Sequence, residues 1–257
     1  MRITLIGSGN VATHLGAAFA NAGHKIVQVY SPTMQNAALL AYHVKAEAID
    51  ELHVINPETD IFIIAIKDDA IAGVAGKLAP YNKLIVHTSG ATGLAEIERS
   101  TTKSGVFYPL QTFSKTRELN FLNVPLCIEG SDEQVAGTLT ELAQTISNRV
   151  YPVSSAQRKI LHLAAVFACN FPNYLYGVAQ QLLAGHGLGF DIIRPLIAET
   201  AQKVQDNSPA DVQTGPAVRN DNKTMDAHLQ LLDAEPELQH LYKLLSQGII
   251  KMDKSGS

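Results

Sequence analysis

Arg2-Ile3-Thr4-Leu5-Ile6-Gly7-Ser8-Gly9-Asn10-Val11-Ala12 opens the chain, and the order of its parts decides the fold. Arg2 to Ile6 reads as a short buried strand. Two glycines follow at once, and an apolar-periodic segment from Val11 to Ala22 predicts a helix. Strand, tight turn and helix in this order form a dinucleotide-binding unit. Gly7 permits the turn, Gly9 lets the backbone approach a pyrophosphate, and Ala12 keeps helix and strand close. The free N–H groups at the helix start then face the phosphates. Gly7, Ser8, Gly9, Asn10 and Val11 are therefore the expected cofactor-binding residues. The plainer alternative is a glycine turn that only redirects the chain.

The pattern repeats outward from this unit. Ile26 to Tyr30 predicts the second strand, with a helix over about Met34 to Tyr42 and a short third strand over Val44 to Ala46. Asp60 to Ile66 is the strongest buried strand, followed by a helix over Asp68 to Leu78. Lys83 to His87 is the next, stopped by Thr88-Ser89-Gly90, then a helix over Leu94 to Thr101 and a strand over Gly105 to Tyr108. Near-continuous apolar strands separated by helices mean a mostly parallel sheet covered on both faces. Val124 to Ile128 and Arg149 to Val153 bracket a further helix and extend the sheet at its edge. From Ser154 onward strand signals vanish. Ser154 or Ser155 is placed to cap a long helix to about Gly185, and further helices fit 191–205, 222–234 and 236–250. Lys254 to Ser257 reads as a frayed tail. The expected architecture is α/β: a Rossmann-like domain over 1–153 and an all-helical domain over 154–257 that holds substrate and dimerises.

Composition narrows the function. Of the 257 residues 46% are hydrophobic, enough for full cores without disulfide or metal staples. The net charge is −4 and no basic run occurs, which argues against a nucleic-acid surface. Cys127 and Cys169 both lie among apolar residues and read as buried free thiols. Two cysteines cannot build a four-thiolate metal site, so no metal is expected. No secretion signal and no membrane-spanning run is visible. A cytoplasmic protein with a small-molecule substrate and no membrane partner is the expectation.

At the end of the second strand, where an NAD site usually carries a carboxylate, the chain reads Tyr30-Ser31-Pro32-Thr33. A carboxylate would repel a 2′-phosphate, whereas Ser31 and Thr33 could donate to one. This favours NADP over the alternative NAD, although no Arg or Lys stands nearby. Ile66 and Lys67, at the C-terminal end of the Asp60 to Ile66 strand, lie where open α/β sheets bind ligands. Asp68 is expected to cap the following helix. Ser89 either lies under the nicotinamide ribose or caps a turn.

On the helix 159–173, Lys159, His162, Val166, Asn170 and Asn173 fall in one arc, opposite Leu161, Ala164, Ala165, Ala168 and Phe171. A polar seam on an apolar helix suits a cleft, or a solvent-exposed stripe. Pro172 is expected to kink the helix beside Asn170. In a nicotinamide reductase the protein supplies a proton and orients the acceptor. His162 is the candidate proton donor, since imidazole titrates near neutrality. Asn170 is the candidate orienter, Lys159 an alternative acid, and Tyr108 a hydrogen-bond donor to the site. Arg219, in Thr214-Gly215-Pro216-Ala217-Val218-Arg219-Asn220-Asp221, suits a substrate carboxylate or phosphate. The plain readings are a core histidine and a surface arginine.

These residues resemble a family of two-domain bacterial proteins with a Rossmann-like first half and a second half known as a domain of unknown function (DUF2520-type). The marks are Gly7 through Leu15, Tyr108-Pro109-Leu110-Gln111-Thr112-Phe113, His162-Leu163-Ala164-Ala165 through Asn170, and Thr214-Gly215-Pro216 through Arg219, Asp221, Thr224, His228 and Leu229. A wider resemblance runs to pyrroline-5-carboxylate reductases, 6-phosphogluconate and 3-hydroxyisobutyrate dehydrogenases and ketopantoate reductases. It implies NAD(P)-linked hydride transfer to or from C=O or C=N, and a helical domain that forms a homodimer. The chain departs from these families in four places. Tyr108 stands for a usual His, Pro32 for a frequent Arg and Asn220 for a usual Gly. The lysine–asparagine pair of the dehydrogenases, four residues apart, is absent, because Lys159 lies eleven residues before Asn170. That absence keeps open a second hypothesis, a non-catalytic dinucleotide-sensing protein, and a third, an oligomeric scaffold with a structural glycine turn.

Overall fold

A computed structural model describes residues 1–255. The chain forms two compact units, residues 1–174 and residues from 175 onward. The first unit holds the strands β1 (Arg2–Ile6), β2 (Lys25–Tyr30), β3 (Glu47–Ile49), β4 (Ile61–Ile64), β5 (Leu84–His87), β6 (Ser104–Pro109), β7 (Leu126–Gly130) and β8 (Val150–Pro152). They form one sheet in the order β3-β2-β1-β4-β5-β6-β7-β8. Neighbouring pairs run parallel except β6 with β7. The helices of this unit are α1 (Asn10–Asn21), α2 (Met34–Val44), α3 (Ile71–Leu78), α4 (Ala95–Glu98), α5 (Glu133–Gln144) and α6 (Ser155–Ala165), followed by a π turn over Val166–Asn170.

Alternation along each strand explains the layering, because successive side chains leave opposite faces. Ile3, Leu5, Ile61 and Ile63 pack in one core with Leu15 and Phe19 of α1 and Leu139 and Leu142 of α5. Ile6, Phe62, Ile64 and Val106 pack in the other with Ile71 and Leu78 of α3 and Ile97 of α4. Strands buried on both faces are the parallel-sheet solution that the apolar runs predict. Leu161 of α6 packs against the second core, which lays that helix along the same face.

Several boundaries differ from the sequence expectation. Val44 closes α2 instead of opening β3, and Lys45 ends the helix in the left-handed conformation at φ 53°. The helix after β5 spans only Ala95–Glu98. Asp68 makes no side-chain cap. It starts a 3₁₀ turn, and its carbonyl accepts from Ile71. Ser154 does cap α6, in a reciprocal box with Gln157. The long helix expected beyond it is interrupted by the π turn before α7 (Phe171–Ala184). There the Phe171 N–H donates to the Val166 carbonyl, five residues back. The extra residue takes up the ring of Pro172, which lacks an N–H and would clash in a regular helix. Cys127 is buried as expected, but Cys169, on the π turn, is exposed.

The second unit is helical: the remainder of α7, then α8 (Arg194–Asp206), α9 (Asn222–Leu231) and α10 (Pro236–Ser255). α10 continues through Ser255, past the point where a tail is expected, and Gly256 and Ser257 lie outside the described residues. Within the unit, His228 Nδ1 lies 2.9 Å from the Tyr242 hydroxyl and joins α9 to α10. Among the described residues no helix is long and apolar enough to cross a membrane.

Candidate active site

β1 meets α1 where the strand order reverses. β2 and β3 lie on one side of β1, and β4 to β8 on the other. Ligands of open α/β sheets bind in this crevice, outside the strand ends. Gly7 adopts φ +122°, and a Cβ there would run into the Ala65 carbonyl and come within 3.1 Å of Ile66 Cγ2. Only glycine fits that turn. Gly9 is different: nothing lies within 4 Å of the place its Cβ would take. No side chain caps α1, and its first turn carries no acidic residue. Open space and uncapped N–H groups at Asn10 and Val11 fit a pyrophosphate.

The loop after β6 lies alongside this turn. Asn10 Nδ2 donates to the Phe113 carbonyl at 2.9 Å, and His14 Nε2 lies 2.9 Å from the Ser114 carbonyl. Lys115 Nζ donates to the Ser8 carbonyl at 2.8 Å and sets a positive charge beside the glycines. At the end of β2, Ser31 is buried, and its hydroxyl accepts from the Thr33 N–H at 3.4 Å. Thr33 is exposed at the start of α2 and caps nothing. Lys67 is exposed beyond β4. Ser89 turns the chain after β5, its hydroxyl accepting from the Ala91 and Thr92 N–H groups at 3.1 and 2.9 Å.

A cleft of about 380 Å³ opens in the same unit between the end of β6 and α6 with its π turn. Tyr108, Gln111, His162, Ala165, Cys169 and Asn170 are among its lining residues. The Tyr108 hydroxyl lies 3.1 Å from His162 Nδ1, and the two rings meet edge to face at 74°. Gly90 lies close to both rings. A Cβ on it would stand 2.7 Å from His162 Nδ1 and 2.9 Å from Tyr108 Cζ. Burial, with Cys127 adding and Arg158 opposing, pushes the Tyr108 phenol up to about 12. Tyr108 therefore stays protonated, and the imidazole tautomer decides whether its hydroxyl donates to Nδ1 or accepts from it. A neutral imidazole that accepts at Nδ1 carries its own proton on Nε2.

Behind the cleft lies a charged network. Arg158 is completely buried. Its Nε donates to the Ser89 carbonyl at 3.2 Å, its Nη2 to the Thr92 carbonyl at 2.6 Å, and its Nη1 to the Glu129 carboxylate. Ser155 donates to the same carboxylate through its N–H and its hydroxyl, at 2.8 and 2.7 Å. Burial raises the Glu129 pKa, but the bonds from Arg158 and Ser155 outweigh it and hold the carboxyl below its ordinary value. His87, at the end of β5, is pushed down to about 4 by burial and then by the Arg158 charge, against the Gly93 carbonyl and Glu129.

The structure thus brings together Tyr108, His162 and Asn170, and separately gathers Gly7 to Val11 with Ile66. Lys159 is exposed and absent from the cleft lining, so it does not join His162. Three members of the expected arc, His162, Val166 and Asn170, line the cleft. Cys169 lines the cleft beside Asn170, as do Ala164, Ala165 and Ala168 from the side read as opposite. Arg219 belongs to the second unit and is exposed two residues before Asp221, which caps α9. Asn220 has φ 51°, a left-handed conformation that asparagine tolerates where glycine is usual. The sequence reading missed Glu129, Arg158, His87 and Lys115. A charged pair 29 residues apart carries no local periodicity, although an Arg one helical turn before His162 was visible as a hint. Among the described residues no group of three His, Cys, Asp or Glu side chains could hold a metal ion.

Two family profiles match the chain. One, described as NADP oxidoreductase coenzyme F420-dependent, covers residues 2–90. The other, a domain of unknown function (DUF2520), covers residues 124–249. No curated protein matches. Among solved structures, a Bacteroides fragilis protein assigned as an NADP oxidoreductase is 45% identical, with a TM-score of 0.92 over 97% of this chain and 98% of that one. A Thermotoga maritima protein is 21% identical, with a TM-score of 0.75 over 99% of each chain. An imine reductase from Myxococcus stipitatus, in complex with NADP+, is 16% identical, with a TM-score of 0.69 over 100% of this chain and 95% of that one. The last two share the fold.

Proposed function

This chain belongs to the family of the Bacteroides fragilis protein, and on that footing we propose that it is an NAD(P)-dependent oxidoreductase acting on a small C=O or C=N substrate. One observation carries the proposal: the open glycine turn and the Tyr108–His162 cleft both lie where the sheet's parallel strands end. Gly7, Ser8, Gly9, Asn10 and Val11 hold the pyrophosphate through backbone N–H groups, beside Ile66 and Lys67. Bound there, a dihydronicotinamide would supply the hydride. As imidazolium, His162 supplies the proton from Nε2 and is left neutral, and the Tyr108 hydroxyl holds the ring at Nδ1. Asn170 orients the acceptor atom through its amide. The apolar lining around them excludes water from the reacting atoms.

NADP is the preferred cofactor in this reading. No carboxylate follows β2, and the exposed Thr33 hydroxyl is available to a 2′-phosphate. Arg219 is assigned to a carboxylate or phosphate of the substrate, and the working form is a homodimer.

Thermal unfolding titrated with NADPH, NADP, NADH and NAD tests the reading. At a ligand concentration a hundred times Kd, linkage adds about 2.7 kcal/mol, a rise of roughly 5–10 °C. A saturable shift for the phosphorylated pair is the expected result. The cofactor that binds then goes into a screen of carbonyl and imine substrates, read as loss of absorbance of the reduced coenzyme and repeated with His162→Ala. Binding without turnover on any substrate would favour the sensing alternative. No shift with any of the four would remove the cofactor reading.

A further inference from the structure

We propose that Arg158 is a positioning residue for His162, locking the imidazole in one orientation and one tautomer by fastening the loop that carries Gly90. The inference rests on the reading of His162 as the proton donor.

Arg158 and His162 stand four residues apart on α6, so they share one face. Four of the five guanidinium N–H donors are accounted for by bonds within the protein. Two go to the Ser89 and Thr92 carbonyls, one to Glu129, and one to the Ser155 hydroxyl at 3.2 Å. Ser155 also accepts the Leu94 N–H, at 2.9 Å. The segment 89–94 is thereby tied to α6 at three points, and Gly90 lies between the first two. A methyl group on Gly90 would stand 2.7 Å from His162 Nδ1, so only a bare Cα fits beside the ring. Tyr108 bonds the Nδ1 side of the same ring. The Nδ1 edge of the imidazole thus faces both a hydroxyl and a strip of backbone, and the guanidinium ties the strip down.

A stabilising role alone would not call for this arrangement. A buried ion pair adds little to stability compared with well-packed apolar residues of similar volume. What the planar fork supplies is direction: it binds carbonyls of two residues and a carboxylate at fixed angles, which an ammonium cannot reproduce. Ser89 also begins the turn that ends at the cofactor side of β5, so one side chain spans both the expected ribose loop and the acid–base helix.

The test reads the His162 ring directly by ¹⁵N NMR, with no cofactor present, assigned by loss of the signals in His162→Gln. The wild-type protein is expected to show one tautomer, with two well-separated ring nitrogens and the proton on Nε2. Arg158→Lys keeps the charge but loses the fork, and Glu129→Gln with Arg158→Met removes the pair without leaving a lone buried charge. In whichever of these folds, the two nitrogen signals should converge. With any substrate the screen finds, kcat should fall about tenfold while KM for NADPH stays level. A folded variant with unchanged ring signals would overturn the proposal, as would an averaged tautomer in the wild-type protein. The NADPH thermal shift of the wild-type protein reports separately on the cofactor reading.

Discussion

The Tyr108 hydroxyl and His162 Nδ1 lie 3.1 Å apart, 54 residues distant in sequence but within one compact unit. Their contact joins the end of β6 to the middle of α6 and makes the phenol the imidazole's partner. In Tyr108→Phe the ring remains and the bond is lost. A hydrogen bond of this kind contributes about 0.5–1.5 kcal/mol. We expect kcat to drop by up to about tenfold with NADPH binding unchanged, measured by steady-state kinetics beside a thermal-shift titration.

Gly90→Ala puts a methyl group 2.7 Å from one ring and 2.9 Å from the other. Overpacking of this sort costs about 1–3 kcal/mol. The loop is held by Arg158 and cannot retreat, so the imidazole must move. Urea unfolding should show lower stability, and turnover should fall further than in Tyr108→Phe. Wild-type activity in a folded Gly90→Ala protein would count against the close packing.

Gly7 and Gly9 should separate folding from binding. At Gly7 any side chain meets φ +122° and the Ala65 carbonyl, so Gly7→Ala should lower Tm and abolish the cofactor shift. At Gly9 the backbone is extended (φ −77°, ψ −172°) and the space is open. Gly9→Val should keep the Tm of the free protein and lose most of the cofactor-induced rise, because the new side chain fills the approach to the turn. A full rise in Gly9→Val would move the pyrophosphate elsewhere.

His87 makes stability depend on pH. Its folded pKa of about 4 lies below the ordinary imidazole value of 6.5. The unfolded chain therefore takes up the proton first. The stability is fully present above about 6.5 and is lost as pH falls toward 4, by about 3 kcal/mol in all. Glu129, also depressed, adds its own loss only in the carboxylate range below that. Urea titrations at pH 7, 6, 5 and 4 should show the decline, and His87→Gln should flatten it between 6.5 and 4.

The sheet was legible because its signal is local. Ile61 to Ile64 could only be a strand buried on both faces, and the glycines after Ile6 could only be a turn. The β3 boundary was not, because Val44 suits a strand by propensity and was claimed by α2, which buries it in the first core. The site was legible in part. His162, Tyr108 and Asn170 are found by residue type and face, whereas Cys169 was hidden by a change of helical period that only Pro172 announced. Nothing local singles out Arg158 in the sequence. Its burial depends on Glu129, Ser89 and Thr92, none of which shares a pattern with it.

The one reversed pairing in the sheet works as a parity rule. β7 runs back along β6, so Glu129 lies opposite Val106 and not beyond Pro109. β8 follows β7 in the same sense, and the chain leaves it to start α6 against Glu129. The helix then has about one strand's depth to climb before it reaches Tyr108, and two turns carry it from Ser155 to His162. With an even number of reversals α6 would begin at the rim and point away from it. An engineered insertion at this edge therefore conserves the cleft only if it adds strands without changing that parity.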